Sequence, residues 1–565
     1  MCLILCKTVK NSIDYVYKEE YNIRVEKWKR KECTVKKDKI LAYIVFPTIV
    51  GIVTGAFIFA FKVASSHVMH KSQEIYSFVR SNSKYLPLLI LGAALIGVIS
   101  ATLLRAAKEC RGGGIPTAVA TIRGLVTMKW AQCIFGLFGS SMLTYMVGVP
   151  LGNEGPSVQM GAAIGDGMSF AFGNKNRAWE RYNMTGGASA GFAVATGAPL
   201  SGIVFALEEM HRKFSPTILI FASVSVISGT ATSEALSKIF GIDTTFFDLA
   251  IDEILPLRFL WVAALIGVVC GICANLLTKV YHIIRKIKLK SGFRIPFTAK
   301  IVLIFSAVAL LGFVSANFIG TGHSLIEEII NGHTVWYVIL IAFVIRSLLM
   351  VIANNSGVSG GLFVPTLALG AMIASLIADG LVALKVIGAE YYALLVVIGI
   401  AAFLSASSRI PLTALTFAAE ALCVVGNLLP VAAGVVVAYI VVEMIGIESF
   451  TDTVIEAKVD DDNAGKTQII VESHMKVQSG AFAIGKDVND ILWPPTCRIL
   501  SIHRNSVVHH HHTGIIEEGD ILHLHYSTYE PERALERLCL YLGDQSEDSE
   551  AIVHVADGGD IVPVD

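Results

Sequence analysis

The chain has 565 residues, 54% of them hydrophobic and 16% charged, with a mean hydropathy of +0.63. That composition excludes an ordinary soluble enzyme, and a net charge of −1 leaves no global field that would draw nucleic acid. Ten cysteines are scattered without a disulfide framework, and Cys270 and Cys273, a C-x-x-C inside an apolar run with no second pair, read as small packing residues rather than a metal site.

Residues 1–39 form a basic arm that contains no short apolar core ending at a small-residue cleavage site, so it does not read as a signal peptide. The run 40–65 is long enough to span a bilayer, and the cations before it place the N-terminus in the cytoplasm. Further apolar runs at 86–104, 131–149, 185–207, 217–239, 257–284, 301–319, 335–352, 366–386, 392–404 and 410–445 predict a polytopic all-α membrane domain over 40–455. Several are short or broken by Gly and Pro, which lipid tolerates only where the freed backbone is buried in protein or lines a cavity.

One carboxylate stands out in this region, Glu154 in the stretch LGNEGPSVQMGA at 151–162. Gly152 and Gly155 let backbone amides approach a ligand, and Pro156 suits the first turn of a helix. A helix starting there aims unpaired N–H groups and a positive dipole end at whatever lies beside Glu154, which describes an anion site with an acid inside it. The plainer reading, a Gly/Pro loop with a surface Glu, competes until a second copy is noticed. Gly361, Pro365 and Gly370-Ala371 repeat Gly152, Pro156 and Gly161-Ala162 at an offset of 209 residues. GIVTGA at Gly51 pairs with GVVCGI at Gly267, GGGIP at Gly112 with GTGHS at Gly320, and PLSGIVFALE from Pro199 with PLTALTFAAE from Pro411. Four collinear pairs predict a duplicated unit, with halves at about 40–240 and 257–446, of the kind from which transporters are built.

Loop charge orients the copies. Asp243, Asp248, Asp252 and Glu253 precede the second copy, whereas Arg285, Lys286, Lys288, Lys290, Arg294 and Lys300 follow its first helix. The first helix of one half then rises where its counterpart descends, so the halves are inverted and the two Gly/Pro helix starts meet near the midplane.

Together, GGGIP at 112–116, GNEGP at 152–156, the Glu208-Glu209 pair and GLFVP at 361–365 resemble the CLC chloride channel and chloride/proton antiporter family over roughly 40–455. The resemblance implies a homodimer in a bacterial plasma membrane, in contact with lipid, with an anion held by backbone amides in each subunit. Glu154 resembles the gating glutamate, whose carboxylate alternates with the anion, and Glu209 the inner glutamate that takes protons from the cytoplasm. Gly113, Gly114, Ile115, Asn153, Gly155, Leu362, Phe363 and Thr451 match anion-site positions, and Phe205 matches an aromatic lining the route between the acids. Two intramembrane acids suit a proton path on physical grounds alone, although Glu209, beside His211, Arg212 and Lys213, also reads as a helix end reaching water. Fixed amide dipoles can replace an anion's hydration without a full charge that would hold it too tightly.

Three departures bear on selectivity. Gly113 stands where chloride-selective relatives carry Ser or Pro, Asn153 where many carry Arg, and Thr451, with Phe450 beside it, where a central tyrosine closes the inner side. The expected function is chloride/proton antiport. A passive anion channel and a fluoride/proton antiporter are the alternatives. An intramembrane hydrolase around Ser189 in GASAG is remote, since no strand precedes it and its Gly and Ala neighbours suit helix packing.

After a linker at 456–466, residues 467–543 alternate in short strands, QIIVES, GAFAIG, CRILSIHR, SVVHHHH and DILHLHY, with a helix at 531–542. This α+β module resembles the C-terminal regulatory domain of potassium-transport proteins called RCK_C or TrkA_C, which implies a cytoplasmic dimer and a small ligand such as the cyclic dinucleotide cyclic di-AMP. The membrane domain calls for no other cofactor, and for no metal. His509–His512 could hold a metal only through alternate residues on one strand face, and a polar surface explains them better. The acidic run 544–565, short of aromatics, reads as disordered.

Overall fold

The structure, a computed structural model, describes residues 41–543 and 552–555, apart from 244, 248, 250, 252, 291–294, 333, 505–506 and 510–513. The basic arm, most of the acidic run and His510–His512 therefore lie outside the described residues. A series of eight helices runs from Phe46–Ser81 to Pro216–Phe240 and recurs in the same order from Leu260–Lys290 to Leu428–Ile445. Among the described residues, nine helical stretches are long and apolar enough to cross a membrane. The helix Leu86–Ala106 leaves Leu88, Leu91 and Leu95 exposed, as a face turned to lipid does.

Both halves use the same packing devices. Gly161 against Gly187 and Gly370 against Gly399 occupy equivalent helix crossings, each with no room for a Cβ, so backbones approach closely where lipid gives no hydrophobic drive to association. This is what GASAG does: Gly187 packs on Gly161, and the buried Ser189 Oγ has no hydrogen-bond partner.

Two predicted spans are each two helices. Run 185–207 divides into Glu180–Thr196 and Pro199–Phe205, and run 410–445 into Pro411–Ala421 and Leu428–Ile445. The physical reason is shared by the two copies: a proline disfavours helical geometry in the residue before it, and Ala198 (φ −122°, ψ 81°) and Ile410 (φ −123°, ψ 66°) precede the helices that Pro199 and Pro411 open. Hydropathy does not register that break.

The short helices also show the inversion directly. Glu208, at the end of the first PL…E segment, accepts hydrogen bonds from the amides of Leu412 (2.9 Å) and Thr413 (2.7 Å) at the start of the second. Glu420, its counterpart, accepts from Leu200 and Ser201 at the start of the first, both at 2.8 Å. Each carboxylate caps the other copy's helix, which requires the two segments to lie antiparallel.

The helix Phe450–Asp462 follows the last span and occupies much of the predicted linker 456–466. Beyond it an antiparallel sheet forms from β1 (Ile469–Lys476), β2 (Arg498–Arg504), β3 (Val507–His509), β4 (Ile521–Thr528) and β5 (Ile552–Val555), in the order β3-β2-β4-β1-β5. Val471, Met475, Leu522 and Leu524 pack beneath the helix Pro531–Leu542 through Leu538 and Leu542. Two expectations are corrected here. GAFAIG is a run of turns, since Gly480 (φ 78°) and Gly485 (φ 75°) adopt left-handed backbone, and the run read as disordered supplies β5, whose backbone pairs with β1.

The sheet domain is fastened to the membrane helices. The buried Arg181 guanidinium donates to the carbonyls of Leu492 (2.7 Å) and Trp493 (2.6 Å) and also to that of Ile122 (2.6 Å), while Tyr182 donates to Asp490 O (2.6 Å). Arg181 so joins the sheet domain to the end of the helix Ile115–Arg123.

Candidate functional site

The two Gly/Pro helix starts meet. Gly152 N donates to Gly361 O and Gly361 N to Gly152 O, both at 2.7 Å, forming a two-residue antiparallel bridge on the pseudo-twofold axis between the copies. From this bridge the helices Glu154–Ala171 and Phe363–Ala383 depart, so the first-turn amides of both, which have no acceptor within their own helix, converge on one region. Gly155 permits the approach: a Cβ there would lie 2.6 Å from Gly361 Cα and 3.0 Å from Gly114 Cα.

Glu154 lies inside this junction at 0% exposure, neither lipid-facing nor solvated. Its carboxylate and the Pro365 ring both flank Gly152, and neither carboxylate oxygen accepts a hydrogen bond. His323 Nε2 stands 4.0 Å from Oε1, and the Lys62 ammonium acts on Glu154 through its charge. His323 carries no motif of its own. Its signal lay in the GGGIP/GTGHS pairing, where it is the counterpart of Ile115, and the two loops share their geometry, with Gly112 (φ 58°) and Gly114 (φ 130°) matching Gly320 (φ 77°) and Gly322 (φ 119°). Lys62 lay within an apolar span and gave no other signal.

The other expected residues fall into two groups. Gly155, Leu362 and Phe363 belong to the converging helix starts, and Ile115 opens the helix Ile115–Arg123 behind them. The amides of Gly113 and Gly114 are both taken by acceptors within the protein. Gly113 N donates to Cys110 O (3.3 Å), and Gly114 N to Gln159 Oε1 (2.7 Å), a side chain on the Glu154 helix. Asn153 is buried with Nδ2 donating to Ser65 Oγ (3.1 Å) and Oδ1 unpartnered. Thr451 lies in the first turn of the helix Phe450–Asp462 and donates its hydroxyl to Ser408 Oγ (3.0 Å), while Phe450 packs edge-on against Tyr281.

Phe205 stacks on Phe192 (4.6 Å between centroids), which meets Phe363 edge-on (5.1 Å). Phe363 continues through Phe417 (5.3 Å) and Phe246 (5.8 Å) to His323 (4.6 Å), so a file of rings links the surroundings of Glu154 to the helix that leads into Glu209. Glu209 sits in the π-helical turn Ala206–Met210, a geometry common at functional sites. It is 2% exposed with Oε2 unpartnered, which overturns the plain reading of a helix end in water. Arg123 Nη2 holds its carbonyl at 2.8 Å, and Arg212 and Asp452 act on it through their charges. The adjacent acids therefore differ in kind: Glu208 is a structural cap and Glu209 a buried acid with an uncommitted oxygen.

Residues 92–443 match the family model described as voltage gated chloride channel. The chain is 27% identical over 447 residues to the H(+)/Cl(-) exchange transporter ClcA of Salmonella arizonae, covering 77% of this chain and 93% of the relative. Among solved structures it is similar to a slow cyanobacterial Cl-/H+ antiporter, with a TM-score of 0.68 at 23% identity over 75% of this chain and 99% of that one. It is also similar to a CLC-type fluoride/proton antiporter, with a TM-score of 0.60 at 21% identity over 74% and 98% of the two chains. The sheet domain lies beyond the residues that the family model matches.

Proposed function

The chain belongs to the voltage gated chloride channel family, and on that premise we propose that it is an anion/proton antiporter in which chloride and the Glu154 carboxylate compete for one set of backbone amides. The observation that carries this reading is the wholly buried carboxylate of Glu154 at the head of two inverted helices. Leaving a buried charge without partners is costly, so the ionised group must take amide donors that an anion would otherwise use, and its neutral form releases them. Proton uptake and anion entry are thereby tied to one position. Glu209 is the second proton station, toward the side that carries the sheet domain.

Similarity to exchangers of chloride favours chloride as the anion, while Gly113 and Asn153 keep fluoride as the second reading. In liposomes with opposed gradients, a chloride gradient is expected to drive protons uphill, with fluoride and nitrate compared in parallel. Glu209→Gln is expected to keep chloride flux and lose proton movement. Chloride flux without any proton movement in the unmodified protein would establish the passive channel instead.

Both termini face the cytoplasm in this reading, subunits pair as a homodimer, and the sheet domain regulates transport by binding a cyclic dinucleotide such as cyclic di-AMP. What supports regulation is the Arg181 linkage between that domain and the helix behind the anion site. Calorimetry on the full-length protein in detergent is expected to register cyclic di-AMP binding, and a flat titration would remove that ligand.

A further inference from the structure

Between the membrane helices and the sheet domain lies a cavity of about 840 Å³. Its lining includes Arg123, Arg212 and Asp452, the three groups that hold or act on Glu209. Arg212 pairs with Asp452 at 2.5 Å, and Glu209 presents a buried oxygen with no partner just beyond them. Asp452, Glu456 and Asp460 follow at intervals of four along the helix Phe450–Asp462, so they share one face, and all three line the cavity together with Glu448. Asp460, 70% exposed and paired with Arg285 at 3.2 Å, marks the wet end of that face.

Within the membrane domain acids are expensive to keep, yet here a graded series leads from water to the buried Glu209. Partial burial in the cavity, reinforced by the Glu448 carboxylate beside it, pushes Glu456 up to about 7. A carboxyl shifted in that direction holds a proton more readily near neutral pH than a free one, which suits a group that both accepts and releases it. The lining also includes Lys466, Arg533 and Arg537, the first two paired with Glu530 at 2.6 and 3.6 Å.

We propose that the acidic face of the helix Phe450–Asp462 feeds protons to Glu209, passing from water in the cavity to Glu456, then to Asp452, then to the Glu209 carboxylate. In each transfer one carboxyl O–H breaks as one forms on the next acceptor, directly or through water, and no group is consumed. The proposal rests on the antiporter reading above.

The test is flux in liposomes by full-length protein carrying Glu456→Gln, or Glu448→Gln with Glu456→Gln, measured beside Glu456→Asp and Glu209→Gln. Proton movement is expected to fall roughly tenfold in the Gln variants, a modest share of what a positioned proton-transfer group contributes. Chloride flux should stay close to that of the unmodified protein, and Glu456→Asp should restore coupling, which a merely structural role would not produce. An unchanged proton-to-chloride ratio in the double variant, with Glu209→Gln uncoupled as expected, overturns this route alone. Absence of proton movement in the unmodified protein overturns the antiporter reading and this route with it.

Discussion

Proton movement by Glu154→Gln is expected to fall to the level of protein-free vesicles while chloride flux persists. Gln keeps the volume of Glu and removes its exchangeable charge, so the buried junction is filled as before but nothing there alternates between a carboxylate and a protonated form. The Glu154 carboxylate has no side-chain hydrogen-bond partner in the structure, so the substitution breaks no side-chain pairing, and folding should be preserved. Glu154→Ala goes further by emptying the position and should also leave protons uncoupled. Parallel recordings of chloride efflux and of internal pH decide the matter. Uphill proton transport by either variant at the unmodified rate would remove Glu154 from the exchange.

The second large effect is expected at Gly361→Ala, which should lose both chloride and proton flux and lower the thermal midpoint. An added Cβ would lie 2.6 Å from Gly155 N, 2.9 Å from Gly155 Cα and 3.1 Å from Gly152 O. These are backbone atoms, beside a junction closed by the reciprocal 2.7 Å bonds between Gly152 and Gly361, so they have no rotamer by which to yield. Overpacking of this sort costs about 1–3 kcal/mol in an ordinary core, and here it also spreads the two helix heads whose amides form the anion site. Gly380→Ala is the control on the same helix. Nothing lies within 4 Å of its added methyl group, and exchanging glycine for alanine in a helix is stabilising by roughly 0.5–1 kcal/mol. Normal transport by Gly361→Ala would show that the junction is looser than its bonding implies.

The two substitutions separate what each part of the junction contributes. Glu154 supplies the titratable charge, and Gly152, Gly155 and Gly361 supply the closeness that turns two helix ends into one site. The same division holds for the neighbouring acids of the first PL…E segment. Glu208 is committed to capping the opposite copy, so its loss is expected to be felt as stability, whereas Glu209 has an oxygen free for a proton.

Much of this was legible in the linear chain. Mean hydropathy and run length announce a membrane protein because lipid imposes them segment by segment. The four matched motifs announce the duplication, loop charge announces its inversion, and Glu154 stands out because a carboxylate is rare among Gly, Pro and apolar residues at the start of a membrane helix. Each of these signals is local, carried by residues close together along the chain or by the comparison of one stretch with another.

What the tertiary structure alone decided is who is near whom. Gly114 loses its amide to Gln159, His323 arrives beside Glu154, Glu208 and Glu420 exchange caps, and Glu209 is closed off from bulk water next to Arg123 and Asp452. The partners in most of these contacts are separated by scores to hundreds of positions, and a hydrogen bond depends on fractions of an ångström between them. Hydrophobic period and motif spacing record which way a segment faces, but the commitment or freedom of a single buried donor is set by the packing of segments from both copies, and that is not written in either one.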